Sequence, residues 1–414
     1  MNNYTHRAEK IVQRINTLAA ITEVPGTITR TLGTSAFIEG SQLVMGWMQE
    51  AGLETYIDNI GNVRGKLNSA APDAKTFVIG SHIDTVVNAG KFDGPLGVLM
   101  GLDIIEQVIE SKISLPFNIE LIAFSDEEGV RFHTTYLGSK VIAGTFNDDL
   151  LLTEGLLGLT LKQVIEQMGG DVYKLPQDKI EADNWLGYFE IHIEQGPVLY
   201  EKNIPVALVT AIAGQKRIEI TFNGEAGHAG TVPMNMRNDA LCCAAEFVLE
   251  TERFAKAGNN VVATIGTLQI PHAASNVIPG EVICTLDIRS DNPDSLSACF
   301  ETVKKTSMQI AQQRNITVQW RVVQETMPVQ TDNLLNNLIT QSIQQSGHEV
   351  VELVSGAGHD GVALSVVSPI SMLFVRCYKG ISHNPKEDVE IKDIAAALEV
   401  SGNFIQNLVN YYNK

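Results

Sequence analysis

Apolar and polar positions along the chain switch between two periods. Ala8, Ile11, Ile15 and Leu18 recur at helical spacing in the otherwise polar stretch 1–21. Thr34 is placed to cap a helix running to Glu50, with Phe37, Leu43, Val44, Trp47 and Met48 as its apolar side. Residues 76–81 and 117–124 read as short, mostly buried strands. Between them, 97–110 reads as a helix carrying Leu99, Leu102, Ile105 and Ile109. Strand, helix, strand in that order predicts a parallel sheet covered by helices. Ligands of such sheets bind beyond the carboxyl ends of the strands.

From about Gln215 the pattern changes. Ile218, Ile220 and Phe222 alternate strictly with Arg217, Glu219 and Thr221. A helix over 238–256, strands over 261–270 and 281–288, a helix over 294–313 and a strand over 317–323 follow. That order, β-α-β-β-α-β, is the split ferredoxin-like unit. After Met327-Pro328 the helix and strand alternation resumes, including a strand over 371–376, and a helix closes the chain. The expected fold is α/β: a mostly parallel-sheet catalytic domain made of 1–210 and 327–414, interrupted by an inserted α+β domain at 211–326.

Composition narrows the function classes. A chain of 414 residues, 44% hydrophobic, has enough apolar material for a large core and for two domains. The 48 acidic against 30 basic residues give a formal charge of −18, which argues against nucleic acid or an anionic membrane as partner. No apolar run approaches the ~20 residues that cross a bilayer, and the start lacks the profile of a secretory signal. Five cysteines, an odd number without metal-type spacing, fit reduced thiols in a cytoplasm.

The chemistry gathers at strand ends. Gly80-Ser81-His82-Ile83-Asp84-Thr85 closes one strand, and Asp93 follows in the Gly-rich turn Phe92-Asp93-Gly94-Pro95-Leu96-Gly97. Imidazole and carboxylate donors suit zinc, and a metal pair needs a bridging carboxylate, for which Asp93 is the candidate. His82 is a candidate ligand, and Asp84, two residues on, is expected to accept that imidazole's other N–H. Glu127-Glu128 follows Phe124-Ser125-Asp126; neighbouring carboxylates of this kind divide into a ligand and a proton acceptor. His192 shares a strand face with Glu190 and Glu194, leaving Glu194 a rival ligand. His383 lies in the turn-rich Gly380-Ile381-Ser382-His383-Asn384-Pro385.

At these residues the chain resembles the M20 metallopeptidase family, and more closely its amidase branch of N-carbamoyl-L-amino acid hydrolases, allantoate amidohydrolases and β-ureidopropionases. The similarity runs through GSHIDTVVNAGKFDGPLGVL, DEEGVRF, HIEQGPVL, GEAGHAGTVPM, SNVIPG, SGAGHD and GISHNP. The resemblance implies two divalent ions per subunit, zinc first, with manganese, cobalt or nickel as alternatives. His82 and His192 would bind one ion and Glu128 and His383 the other, with Asp93 bridging and Glu127 as general base. Many peptidase members carry a carboxylate where this chain has His192, which points to the ureido-cleaving branch. Gln195 resembles a substrate contact. The inserted domain resembles the family's lid and dimerisation domain. In it, His228 resembles the histidine that stabilises the oxyanion in the partner subunit, Asn276 an amide that helps it, and Arg289 the arginine that pairs with the substrate carboxylate.

The implied activity is hydrolysis of the ureido C–N bond of a small N-carbamoyl amino acid by a cytoplasmic homodimer. Allantoate hydrolysis, a dipeptidase or aminoacylase, and a non-catalytic metal-binding relative stay open. Gln215-Lys216-Arg217 looks more like allantoate-type relatives, whereas Phe374-Val375-Arg376 and Phe92-Asp93-Gly94-Pro95-Leu96 look more like carbamoyl-amino-acid hydrolases. Gly358-His359-Asp360 lies in a Gly-rich loop whose chemistry the sequence leaves unassigned.

Overall fold

The computed structural model describes residues 3–156, 158–258 and 260–413; Met1 and Asn2, at the head of the expected first helix, lie outside them. The chain divides into two compact units, Met1–Thr210 with Thr331–Lys414, and Ala211–Gln330.

In the first unit the sheet runs in the order Glu54–Ile57, Val63–Leu67, Asn118–Phe124, Thr76–His82, Trp185–Ile193, Ile370–Val375, Val206–Ile212. Its centre is parallel: Thr76–His82 lies between Asn118–Phe124 and Trp185–Ile193, and the latter pairs with Ile370–Val375. The flanking pairs are antiparallel. The central strands are buried on both faces, which is why they read as continuous apolar runs rather than alternating ones. Phe77, Ile79, Phe189 and Ile191 pack with Leu99 and Leu102 of the helix Pro95–Glu110 and with Phe404 of the last helix, Ile391–Tyr412. Thr34 caps the helix Ser35–Glu50, its hydroxyl accepting the Phe37 N–H at 3.3 Å.

The second unit has its own core. Strands Gly214–Asn223, Val262–Gln269, Glu281–Ser290 and Thr317–Thr326 form an antiparallel sheet in the order fourth, first, third, second. Helices Ala240–Lys256 and Pro293–Gln313, capped by Asp239 and Asn292, cover one face. Ile218, Ile220 and Phe222 point into that core while Arg217, Glu219 and Thr221 face away, so strict alternation was a faithful guide to a half-covered sheet. The β-α-β-β-α-β order is the ferredoxin-like arrangement. A two-stranded antiparallel ribbon pairing Gly227–His228 with Val277–Ile278 stands apart from this sheet.

Candidate metal centre

The parallel strands deliver their carboxyl ends to one edge. His82 is the last residue of its strand, opposite Phe124, and His192 is the last but one of its own. Asp126, Glu127 and Glu128 follow Phe124 after one residue. The turn to the helix Pro95–Glu110 brings in Asp93, and the loop after Ile370–Val375 brings in His383. Gly94 permits the close approach: its φ is +81°, and a Cβ there would lie 2.5 Å from Cε1 and Nδ1 of His82.

Asp93 is the hub. Its Oδ1 lies 3.1 Å from His192 Nε2 and 3.7 Å from His82 Nε2, while its Oδ2 lies 3.2 Å from His383 Nε2. His383 Nε2 is also 3.3 Å from Glu128 Oε1. Three sets of donors have ligand atoms within 4.8 Å of one another: His82-Asp93-His192, Asp93-Glu128-His383 and His82-Glu127-Glu128. The two Asp93 oxygens therefore face different sets. All these groups are buried or nearly so except His383, whose side chain is 48% exposed and marks the solvent side.

Lone pairs decide what the cluster fits. His82 Nδ1 is 3.0 Å from the Asp84 carbonyl and His192 Nδ1 is 2.9 Å from the Ile193 carbonyl. Each ring therefore donates its Nδ1–H to a carbonyl, which leaves an Nε2 lone pair aimed at a carboxylate oxygen. Lone pairs facing each other at such distances are bridged by a proton in the bare site or by a metal ion when one is bound. Imidazole plus carboxylate is a donor set for divalent first-row ions.

The electrostatics agree. Burial opposes charge on His82 and His192, but Asp93 and, for His82, Glu127, Asp84 and Glu128 override it and raise both pKa values. Burial likewise opposes charge on Asp93, yet hydrogen bonds from His192, His383 and His82 hold it well below the ordinary carboxylate range. Asp93 and Glu128 raise His383 to about 10. Glu127 goes the other way. Burial, with the charges of Glu128 and Asp360, lifts its carboxyl well above the usual range against the pull of His82, so it holds a proton more tightly than an ordinary carboxylate.

Several surrounding residues do something other than their sequence context suggested. Asp84 does not present its carboxylate to His82: the strand ends at His82, the imidazole partner is the Asp84 carbonyl, and the carboxylate stands 3.7 Å from Nδ1. That carboxylate instead accepts the backbone N–H groups of Glu127 and Glu128, each at 3.1 Å. Glu194 is committed elsewhere, accepting the N–H groups of Val198 and Leu199 at 2.8 Å each at the start of the helix Val198–Lys202. Gln195 donates from Nε2 to Asp93 Oδ2 at 2.9 Å, so it serves the hub directly. Phe374 and Arg376 are buried, and Arg376 forks onto Asp393 and reaches Asn203. His359 packs edge-on against His192 and lies 2.7 Å from Ser355 Oγ, its pKa pressed well down by burial and by His192.

Sequence reading missed three contributors. Arg30, 1% exposed, donates to the carbonyls of Ile83, Leu18 and Ile21 and so fixes the segment after His82. Ser382 donates to Asp93 Oδ2 at 2.5 Å, and Glu387 accepts the Phe92 and Asp93 N–H groups. Ser382's place beside His383 was the one available signal.

In the second unit His228 is exposed at the end of the two-stranded ribbon, with Nδ1 accepting the Gly230 N–H at 3.0 Å. That leaves the ring proton on Nε2, a donor facing outward. Asn276 sits across the ribbon, its backbone carbonyl accepting the Ala229 N–H. Arg289 is held by Asp287 through Nε and one terminal nitrogen, each at 2.9 Å, and Arg217 shares the same carboxylate.

Residues 78–407 match the model of peptidase family M20/M25/M40. The chain belongs to this family. Within M20/M25/M40 its similarity is to amidases. It is 36% identical over 395 residues to an N-carbamoyl-L-amino acid amidohydrolase of Geobacillus stearothermophilus, covering 95% of this chain and 97% of that one. It is 35% identical over 432 residues to allantoate deiminase 1 of Glycine max, covering 97% and 89%. Among solved structures, an amidase of the hydantoinase/carbamoylase family from Burkholderia multivorans superposes with a TM-score of 0.90 at 32% identity, covering 97% of each chain. Among the described residues, no helix is long and apolar enough to cross a membrane.

Proposed function

We propose that this M20/M25/M40 member is a cation-dependent amidohydrolase that cleaves the ureido C–N bond of an N-carbamoyl-L-amino acid, releasing ammonia and carbon dioxide. The observation that carries the reading is Asp93, whose two oxygens face separate donor sets while the basic carboxylate of Glu127 lies beside them. His82 and His192 would hold one ion and Glu128 and His383 the other, with Asp93 shared between the two donor sets. Zinc suits these donors best; manganese, cobalt and nickel also accept them.

Divalent ions bound there supply Lewis acidity, lowering the pKa of water to about 7 and stabilising charge that develops on a carbonyl oxygen. Glu127 takes the proton of the attacking water. The new C–O bond turns the ureido carbon tetrahedral, and the negative oxygen accepts a hydrogen bond from Nε2 of His228, contributed across a homodimer built through the inserted unit. Glu127 then delivers its proton to the departing amino nitrogen, the C–N bond breaks, and the carbamate left behind falls to carbon dioxide and ammonia. Asn276 supports His228. Arg289 receives the substrate carboxylate by exchanging it for Asp287, a bidentate match that a guanidinium suits. Gln195 orients Asp93 and lines the substrate side.

Relatives carrying the N-carbamoyl-L-amino acid name span 31–37% identity and most of this chain, which supports that substrate class. Relatives named allantoate deiminase, at 34–35% identity over 94–97% of this chain, support allantoate as the second reading. Parallel assays of N-carbamoyl-L-amino acids, allantoate and dipeptides on one preparation of known metal content separate them: highest kcat/KM on the first is the expected result, and preference for dipeptides overturns the ureido reading.

A further inference from the structure

The proposed pair of ions depends on one carboxylate, and that carboxylate is set by contacts from a distant part of the chain. Glu387 lies 4% exposed in the turn that follows His383, its own N–H donating to the Asn384 carbonyl. Its Oε1 accepts the backbone N–H of Phe92 at 2.7 Å and that of Asp93 at 3.1 Å. Ser382 Oγ, with one proton to give, lies 2.5 Å from Asp93 Oδ2 and 3.3 Å from Glu387 Oε2, so the shorter contact takes it. The approach leaves no room for a side chain at Gly90, where a Cβ would overlap the Glu387 carboxyl. One buried carboxylate thus ties the loop that carries the hub to the loop that carries His383, across 294 residues of sequence.

This geometry has a consequence for ion binding. A bridging carboxylate must offer each oxygen to a different ion, and ions in such pairs stand ~3.5–4 Å apart. Rotation of Asp93 about its own backbone would take one oxygen out of reach. Two hydrogen bonds at the N–H groups of the ligand residue and its neighbour converge on one buried oxygen, Glu387 Oε1, and so fix the direction of this stretch of backbone. They fix the backbone from which the Asp93 side chain starts, while Ser382 and Gln195 fix its far end.

Resting on the two-ion reading above, we propose that Glu387 is a positioning residue: it clamps the Phe92-Asp93 backbone to the His383 loop so that Asp93 spans both ions. Its role is acceptance at a set distance rather than charge, and two variants separate these. Glu387→Gln keeps the acceptor oxygen at the same reach and loses the charge. Glu387→Asp keeps the charge and falls a methylene short of the N–H groups.

The test is calorimetric titration of Mn²⁺ into metal-stripped wild type and both variants, with the melting temperature of each stripped protein as a separate report on the fold. Glu387→Asp should lose ~10–100-fold in affinity for one ion, the usual effect of removing a partner that orients a ligand, while Glu387→Gln stays close to wild type. The reverse order, equal losses in both, or no loss in either overturns the proposal. Wild type that binds no Mn²⁺ overturns it together with the metal reading. Wild type that binds Mn²⁺ but cleaves no ureido substrate sinks only the proposed function, and the titrations still judge Glu387.

Discussion

The carboxylate of Asp84 holds the backbone N–H of Glu127 at 3.1 Å, so the loop carrying the proposed base is anchored by a residue two positions beyond His82. A second bond of the same length fixes Glu128. Asp84→Asn leaves one of these N–H groups facing an amide N–H instead of an oxygen. Affinity for the ions should fall by ~10–100-fold, as for other supporting residues of metal ligands. Titration of stripped protein with Mn²⁺ checks this, and unchanged affinity would show that the loop holds itself.

Gly94 is the second fixed point. With φ at +81° and His82 2.5 Å from any Cβ, Gly94→Ala suffers both backbone strain and a clash with a proposed ligand. Destabilisation of about 1–3 kcal/mol is expected from the backbone alone. Denaturant unfolding of stripped protein measures it, and a midpoint equal to wild type would contradict the close packing of turn against imidazole.

The His383 imidazole, together with His82 and His192, sets the pH dependence of ion uptake. Asp93 and Glu128 raise it to about 10, so without ions it carries a proton at pH 7. An ion binds only the unprotonated Nε2, so uptake must displace that proton, and apparent affinity climbs as pH rises toward about 10. Calorimetry in buffers of differing ionisation enthalpy counts the protons released. Release at pH 7 is the expected sign; uptake of protons, or none exchanged, would place His383 outside the coordination set.

The inserted unit and the proposed base should complement each other between subunits. Glu127→Gln lacks the proposed base and His228→Ala lacks the proposed oxyanion donor, a kind of group whose loss typically costs ~10²–10³ in turnover. Mixing the two inactive proteins should restore activity, because a hybrid dimer holds one site with both residues intact. No recovery after proven subunit exchange would exclude action across the dimer.

How far the sequence led can be read from individual residues. The first strands and the ferredoxin-like order were legible because burial imposes a period: Ile218, Ile220 and Phe222 alternate with polar neighbours, and Phe77-Val78-Ile79 is an unbroken apolar run in a strand buried throughout. The placement of His82 and Glu127-Glu128 was legible because parallel strands end at one edge. Asp84 accepts the ring N–H of His82 as the sequence suggested, but through its carbonyl rather than its carboxylate, because the chain turns after His82 instead of continuing as a strand. Glu194 shares the strand period of His192, but a helix start four residues on claims its oxygens, a local competition that alternation does not record. Glu387 was invisible: its partners are Phe92 and Asp93, and no periodicity links a turn to a loop so far away in the chain. Asp287 and Arg289 share a face two residues apart, so their pairing follows from strand geometry, although resemblance alone directs attention to the arginine.

The account turns on whether Glu127 is left off the ions to handle the proton, since His82-Glu127-Glu128 is itself a set within ligand reach. Metal content and ammonia release from an N-carbamoyl-L-amino acid, measured together on wild type and Glu127→Gln, decide it. The account predicts two ions per subunit in both proteins and a loss of turnover of at least ~10²–10⁴ in the variant, the scale of general acid–base catalysis. A variant that loses an ion, or one that keeps both and turns over like wild type, would contradict it.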